Sequence, residues 1–121
     1  MPKYACIFSY STGSWARMLK TSDDGLSSFR RLLDSVGGSL ETVYWMPLGI
    51  PSGMVIVETP DSVTAAAVSV AVTSTGAVQN LQTYELFTQE QVGEMLMMAR
   101  DGTQVYRPPG HGESIFPGSA S

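Results

Sequence analysis

The chain has 121 residues, of which 43% are hydrophobic and 15% charged, so it is long enough to bury a core without disulfides. The net charge of −4 leaves no basic surface for nucleic acid, and we expect no nucleic-acid partner. The single cysteine, Cys6, excludes an internal disulfide and any multi-cysteine metal site. The single histidine, His111, excludes paired-histidine metal motifs, so we expect neither a metal nor a cofactor.

Membrane and export signals are not visible in the sequence. No apolar run reaches the roughly 18 residues that a membrane-spanning helix needs. The N-terminus opens directly into a strand-like run instead of the charged and apolar regions of a signal peptide. We therefore expect a cytoplasmic protein that has no membrane partner.

The first elements in chain order are a strand and a helix. Aromatic and apolar residues followed by a Ser/Gly cluster predict a strand over 3–10, and residues 15–20 allow one helical turn. A helix is predicted over 23–36, with Ser22 or Asp23 as its N-cap. Its apolar face has helical spacing and comprises Leu26, Phe29, Leu33 and Val36.

Two strands and a second helix follow. The strands are predicted over 39–46 and 53–58, with a Gly- and Pro-rich loop between them. The next segment, Val63 to Thr75, is rich in alanine, valine and threonine and fits a strand as well as a helix. Its length and the helix start at Asp61 favour a helix over 61–75.

A last strand, a last helix and a tail complete the chain. The strand is predicted over 78–86. Thr88 and Gln91 have the spacing of a capping box, which begins a helix over 89–101. Residues 103–121 contain proline and glycine and are predicted as an irregular tail, which follows a domain formed by residues 1–102. We expect Val105, Tyr106, Ile115 and Phe116 to anchor the tail to its own or a neighbouring subunit.

The order of these elements predicts an α+β fold. Two β-α-β halves in tandem match the ferredoxin-like split βαβ arrangement, with a four-stranded antiparallel sheet followed by a C-terminal helix and tail. The alternative is a small doubly wound α/β fold, which has a parallel sheet and a glycine-rich phosphate loop after the first strand. Residues 11–14 contain one glycine, which makes them a poor phosphate loop.

Both faces of the predicted sheet are apolar, and this indicates self-association. In the first strand, Tyr4, Cys6 and Phe8 alternate with Ala5 and Ile7. Helices on one side of the sheet leave the other face bare, at roughly 400 Å². We expect a second copy of the chain to cover that face in a homodimer or a larger homo-oligomer.

The stretch from Gly49 to Asp61, GIPSGMVIVETPD, resembles the region that names the GYD-domain family. The resemblance covers about residues 1 to 100 and implies a ferredoxin-like, dimeric α+β barrel, with little implied about activity. The sequence departs from the family pattern at Pro51, where the family has Tyr, and at Ser52, where it has Asp.

Seven residues are candidates for a site. Glu58 ends an apolar strand, where burial would make it a usable acid or base, and His111 titrates near neutral pH, so these two are the catalytic candidates. Each also has a simpler interpretation, as a solvated carboxylate and an exposed tail histidine. The candidates for lining a pocket between the sheet and its helices are Tyr10, Trp15, Tyr44, Trp45 and Met54.

Three functions remain open at this point. The first is the binding of a small apolar or aromatic molecule by a dimer. It suits a sequence that has aromatic and methionine-rich strands but no catalytic triad and no set of metal ligands. The second is a cofactor-free oxygenase, isomerase or cyclase, and the third is a purely structural oligomerisation module. A cavity containing Glu58 or His111 favours the enzyme, an apolar cavity favours binding, and the lack of a cavity favours the module.

Overall fold

Seven of the eight regular elements in the described part of the chain lie in residues 1–86. The computed structural model describes residues 1–112 and 115–116. Two compact units are distinguished, Met1–Leu86 and Phe87–Ser121, and the predicted domain boundary at residue 102 stays a prediction. The elements of the first unit are β1 (Lys3–Tyr10), α1 (Thr12–Thr21), α2 (Leu26–Ser35), β2 (Ser39–Trp45), β3 (Gly53–Glu58), α3 (Ser62–Thr73) and β4 (Val78–Leu86). The second unit contains α4 (Gln89–Gly102).

The four strands form one antiparallel sheet in the order β2-β3-β1-β4. Three strands have the predicted bounds, and β2 ends one residue early, at Trp45. The central strands β1 and β3 pair with Cys6 opposite Val55, and β1 pairs on its other side with Thr83 of β4 opposite Cys6. This is the predicted ferredoxin-like arrangement, and the doubly wound alternative with its parallel sheet is wrong.

The helix α1 is longer than the single turn that the sequence predicts. Ser11 is its N-cap, and the Ser11 side chain accepts a hydrogen bond from the Ser14 amide at 3.1 Å. Ser14 is buried, and its hydroxyl donates to the Ala77 carbonyl oxygen at 2.8 Å. A contact with residue 77, distant in sequence, thus stabilises a helix start that locally has the composition of a turn.

The predicted helix over 23–36 begins later than expected. Gly25, at φ 78°, is the N-cap of α2, and neither Ser22 nor Asp23 caps that helix. Ser22, also in the left-handed region, ends α1 instead. The Asp23 and Asp24 carboxylates accept hydrogen bonds from the Gly25 and Leu26 amides, which holds the short connection in one conformation.

The two later helices agree with the sequence. The segment that fits strand or helix is the helix α3, and its N-cap is Asp61. The predicted capping box at the start of α4 is present, because Thr88 and Gln91 each accept from the other's backbone amide. Within the described ranges, no helix has both the length and the apolar composition that crossing a membrane requires.

The core lies between one face of the sheet and the helices. Tyr4, Cys6 and Phe8 of β1 face the helices together with Val55 and Val57 of β3, because alternate strand residues share a face. The helices contribute three buried side chains to the same cluster, which are Leu33, Ala65 and Val68. The opposite face of the sheet is covered by no element of residues 1–86 and is called the open face below.

Candidate functional site

A cavity of about 300 Å³ lies between the sheet and the helices α2 and α3. Its floor is formed by Cys6, Phe8 and Val55, all buried. Its rim includes exposed residues of both helices, such as Ser28 of α2 and Ala71 of α3, so the cavity is accessible from solvent. The remaining lining comes from one end of β1, the beginning of β4 and the two helices: Tyr10, Gly25, Leu26, Phe29, Leu32, Val68, Ser69, Ala71, Val72, Ala77, Val78 and Leu81.

Short side chains on α3 explain why this space is not filled. The helix presents Ser69, Ala71 and Val72 to the cavity, whereas α2 presents the larger Phe29 and Leu32. Interiors normally pack to the density of organic crystals, so a gap of this size in a small domain is unusual. The gap therefore follows from the alanine, serine and valine composition of α3.

Few polar side chains face the cavity, and the Ser69 hydroxyl has its partners within the protein. The Ser69 hydroxyl donates to the Ala65 carbonyl oxygen at 3.1 Å and lies 3.0 Å from the Thr83 hydroxyl. Thr83 in turn lies 3.8 Å from the Cys6 sulfur. Burial raises the pKa of the Cys6 thiol, which keeps it protonated and unreactive at neutral pH.

Tyr10 is the predicted site residue that the structure places in the cavity wall. Its hydroxyl donates to the Asp24 carbonyl oxygen at 3.2 Å. Burial raises the pKa of Tyr10, and the nearby negative charges of Asp24 and Asp23 raise it further. Tyr10 is thus a neutral hydrogen-bond donor that joins the sheet to the connection between α1 and α2.

Trp15 and Trp45 lie together with Tyr10 but on its other side, away from the main cavity. The rings of Tyr10 and Trp45 stack with centroids 5.9 Å apart, and Trp15 meets Tyr10 edge-on at 5.4 Å. The two tryptophans line a second, more open pocket, also about 300 Å³, together with Met18, Asp24 and Pro47. The structure therefore brings together three of the seven sequence candidates.

Three other candidates lie on the open face of the sheet. Met54 and Glu58 alternate with the buried residues of β3, and Tyr44 pairs with Met54 across β2 and β3. Tyr44 is 62% exposed. These three side chains point away from the helices and do not line the cavity, and a role for them in a site stays a prediction.

Glu58 has a charge partner on the open face. The Lys3 ammonium lies 2.7 Å from a Glu41 carboxylate oxygen and 3.7 Å from a Glu58 carboxylate oxygen. The hydrogen bond to Glu41 raises the pKa of Lys3, with a smaller contribution from Glu58. These groups form an ion-pair cluster at one corner of the sheet, and Glu58 belongs to it.

His111, the other catalytic candidate, is exposed and belongs to the second unit. Its backbone amide donates to the Pro108 carbonyl oxygen at 2.9 Å, which closes a turn. The side chains predicted to anchor the tail are also exposed in the single chain, and their docking on a neighbouring subunit stays a prediction. They are Val105, Tyr106, Ile115 and Phe116, at 67% to 87% exposure.

Ser52 is buried and holds the loop between β2 and β3 against β1. The Ser52 hydroxyl accepts from the Tyr10 amide at 3.1 Å, and its own amide donates to the Phe8 carbonyl oxygen at 2.8 Å. These two contacts fix the end of β1, where Tyr10 enters the cavity wall. Ser52 therefore helps to hold the Tyr10 backbone in position.

Sequence reasoning missed most of the cavity lining. The helical spacing places Leu26 and Phe29 on an apolar face, but this spacing does not distinguish a cavity wall from a packed core. One signal was present in α3, where Ser69 interrupts an otherwise alanine- and valine-rich face. Small and hydroxyl-bearing residues on a core-facing helix are a reason to look for unfilled space.

Comparison with known proteins gives a family match over most of the chain. The sequence model of the GYD domain matches residues 4–96, which is more than half of the 121 residues. The matched region contains the helices α1 to α3 and all four strands except Lys3, the first residue of β1. A search of curated proteins finds no matching relative.

Proposed function

We propose that this chain, which belongs to the GYD-domain family, is a homodimeric protein that binds a small apolar or aromatic molecule. The observation that carries the proposal is the cavity of about 300 Å³ over the sheet, with its buried apolar floor and accessible rim. Ligand sites in proteins are concave and mostly apolar, with a few placed polar groups. This cavity has that composition.

The size of the cavity limits the ligand. An apolar cavity of about 150 Å³ in an unrelated protein holds one benzene molecule. A cavity of about 300 Å³ therefore suits two fused rings or a comparable branched alkyl group. At roughly 0.6 kcal/mol for each of about ten atoms, such a ligand binds with a Kd of tens of micromolar.

The chemistry of the lining supports binding over acid–base catalysis. Among the described residues, those that line the cavity include no carboxylate and no imidazole, and Glu58 lies on the open face. Ser69 and Tyr10 supply hydroxyl groups, which orient a ligand but stay protonated at neutral pH. The oligomerisation-module alternative does not require a cavity at all.

The open face of the sheet is the proposed dimer interface. Ile7 and Met54 pair at its centre, and Tyr84 and Leu86 of β4 are 51% and 38% exposed. With Tyr44 of β2 they place apolar side chains on all four strands of this face. A soluble domain rarely leaves such a face in water, and a second copy offers the same surface in return.

The binding proposal is tested with 2-(1-naphthyl)ethanol, a neutral two-ring probe, by titration calorimetry on the full chain. Val72→Phe places a ring in the cavity and is expected to weaken binding at least tenfold. Val70→Phe is the matched control, because Val70 is on the same helix, 68% exposed and outside the cavity. Equal affinity in the wild type and Val72→Phe, with both folded by circular dichroism, would contradict the proposal.

The dimer is tested by light scattering at micromolar concentration. The wild type should have twice the 13.0 kDa mass of one chain. Ile7→Lys puts a charge at the centre of the open face and should give monomers, whereas Val70→Lys on the outer surface of α3 should not. A monomeric wild type would refute the dimer and leave the binding proposal to its own test.

A further inference from the structure

The second pocket beside the cavity has a composition that suits a positive charge. Its walls include the indole rings of Trp15 and Trp45, and Asp24 lies at its edge. Indole is the aromatic side chain that attracts cations most strongly, through the negative faces of the ring. The pocket lining thus combines two indole rings with one carboxylate residue.

Among the described residues that line this pocket, Asp24 is the only one with an ionisable side chain. Trp15 and Met18 are three residues apart and share one face of α1, whereas Arg17 lies between them in sequence and on another face. The Arg17 guanidinium donates to the Ser14 hydroxyl at 3.3 Å. The Asp24 carboxylate accepts a hydrogen bond from the Leu26 amide at 3.0 Å through one of its two oxygens, which restrains its position.

The pocket and the cavity share a wall and a rim. The Tyr10 ring lines the cavity on one side and packs against both tryptophans on the other. Asp24 lines the pocket, and the next residue, Gly25, lines the cavity. Gly25 has no side chain, so a short linker can pass over the backbone at this point from one space to the other.

We infer that the pocket formed by Trp15, Trp45 and Asp24 binds the ammonium group of a ligand whose apolar part occupies the cavity. The ligand class is thus an aromatic or branched alkyl amine, primary or quaternary, with a short linker between ring and nitrogen. This inference rests on the proposed function, since it gives the cavity ligand a charged end. It assigns a binding role to Trp15 and Trp45 that the cavity alone does not give them.

The test compares 2-(1-naphthyl)ethylamine, which is a cation at pH 7, with 2-(1-naphthyl)ethanol, which is neutral and of nearly the same size. The amine should bind the wild-type full chain on the order of tenfold more tightly, and this ratio should fall with added salt. It should also shift the NMR signals of both indole N–H groups, since Trp15 and Trp45 are the only tryptophans.

Variants locate the effect. Asp24→Asn keeps an acceptor for the Leu26 amide but removes the charge, so the amine-to-alcohol ratio should fall to about one. Asp23→Asn is the matched control, because Asp23 is the adjacent exposed carboxylate, lies outside the pocket lining, and accepts a hydrogen bond from the Gly25 amide in the same way. In that variant the ratio should persist.

The outcomes separate this inference from the proposal beneath it. If the alcohol binds and the amine binds no better, the cation site is refuted and the apolar cavity stands. If the ratio persists in Asp24→Asn, the charge preference arises elsewhere and the assignment is wrong. If neither probe binds the folded wild type, the proposed function itself fails.

Discussion

Replacing Leu33 with alanine measures how solidly the domain is packed beside its cavity. Leu33 is fully buried, with 0% of its surface exposed, and it is outside the cavity lining. The change removes three buried carbon groups at about 0.8 kcal/mol each, and the space left behind raises the cost to about 3–5 kcal/mol. A domain of this size has about 5–15 kcal/mol of stability in total, so the loss is severe.

The assay is urea unfolding followed by circular dichroism, with the melting temperature as a second readout. We expect a melting temperature roughly 10–15 °C lower for Leu33→Ala. Leu19→Ala is the surface control, because Leu19 is 86% exposed, and it should change stability by less than about 0.5 kcal/mol.

A third variant tests the empty space itself. Leu32 is the neighbour of Leu33 in sequence, but it is half-buried and lines the cavity. Leu32→Ala extends a space that already exists, so its loss of unfolding free energy should be less than half of the loss for Leu33→Ala. Equal losses for the two variants would show that the region is solidly packed and would refute the reasoning about the cavity.

Three further predictions concern backbone, charge and thiol. Gly38→Ala should lower the free energy of unfolding by about 1–3 kcal/mol, because the added Cβ would lie 2.6 Å from a backbone carbonyl oxygen. Gly93→Ala should raise it by about 0.5–1 kcal/mol, because Gly93 is inside α4 and its added Cβ would meet nothing within 4 Å. Urea unfolding that changes the stability of both variants in the same direction would contradict this prediction. The pKa of Asp61 is lowered by the hydrogen bonds it accepts from the Thr64 amide and hydroxyl, so its stabilising effect is present above the ordinary pKa of about 3.9 and is lost as pH falls through the lowered value. Asp61→Asn should therefore reduce the fall in melting temperature between pH 5 and pH 2, and an unchanged profile would exclude this role. Burial raises the pKa of Cys6, so iodoacetamide should label it slowly in the native protein and more slowly still with 2-(1-naphthyl)ethanol bound; fast labelling at pH 7, measured by mass spectrometry, would show that the cavity floor is open.

Local signals were sufficient for most of the elements. The strands were recognisable because alternating apolar residues and Gly- or Pro-rich turns act over a few neighbouring positions. The caps at Asp61 and Thr88 were recognisable because a cap joins residues three apart in sequence. The antiparallel ferredoxin-like sheet followed from the order of these elements, since few topologies accommodate two successive β-α-β units.

The extent of α1 was not a local property. Its first turn contains serine, threonine and glycine, which are weak helix formers, and its start depends on the contact between Ser14 and Ala77. The sequence alone does not indicate that these residues meet. The pocket beside Trp15 was hidden for the same reason, because the face of α1 that forms it was predicted as a single turn.

The faces of β2 show most clearly what only tertiary structure decided. Simple alternation places Leu40 on the same face as Tyr44 and opposite Trp45. The pairing with β3 shifts register between Leu40 and Thr42, so Leu40 and Trp45 both pack against the core and Tyr44 lies on the open face. The sequence by itself determined that aromatic residues lie at the end of β2. The irregular pairing with β3 determined which of them face the core, because a one-residue shift moves each following side chain to the other face of the sheet.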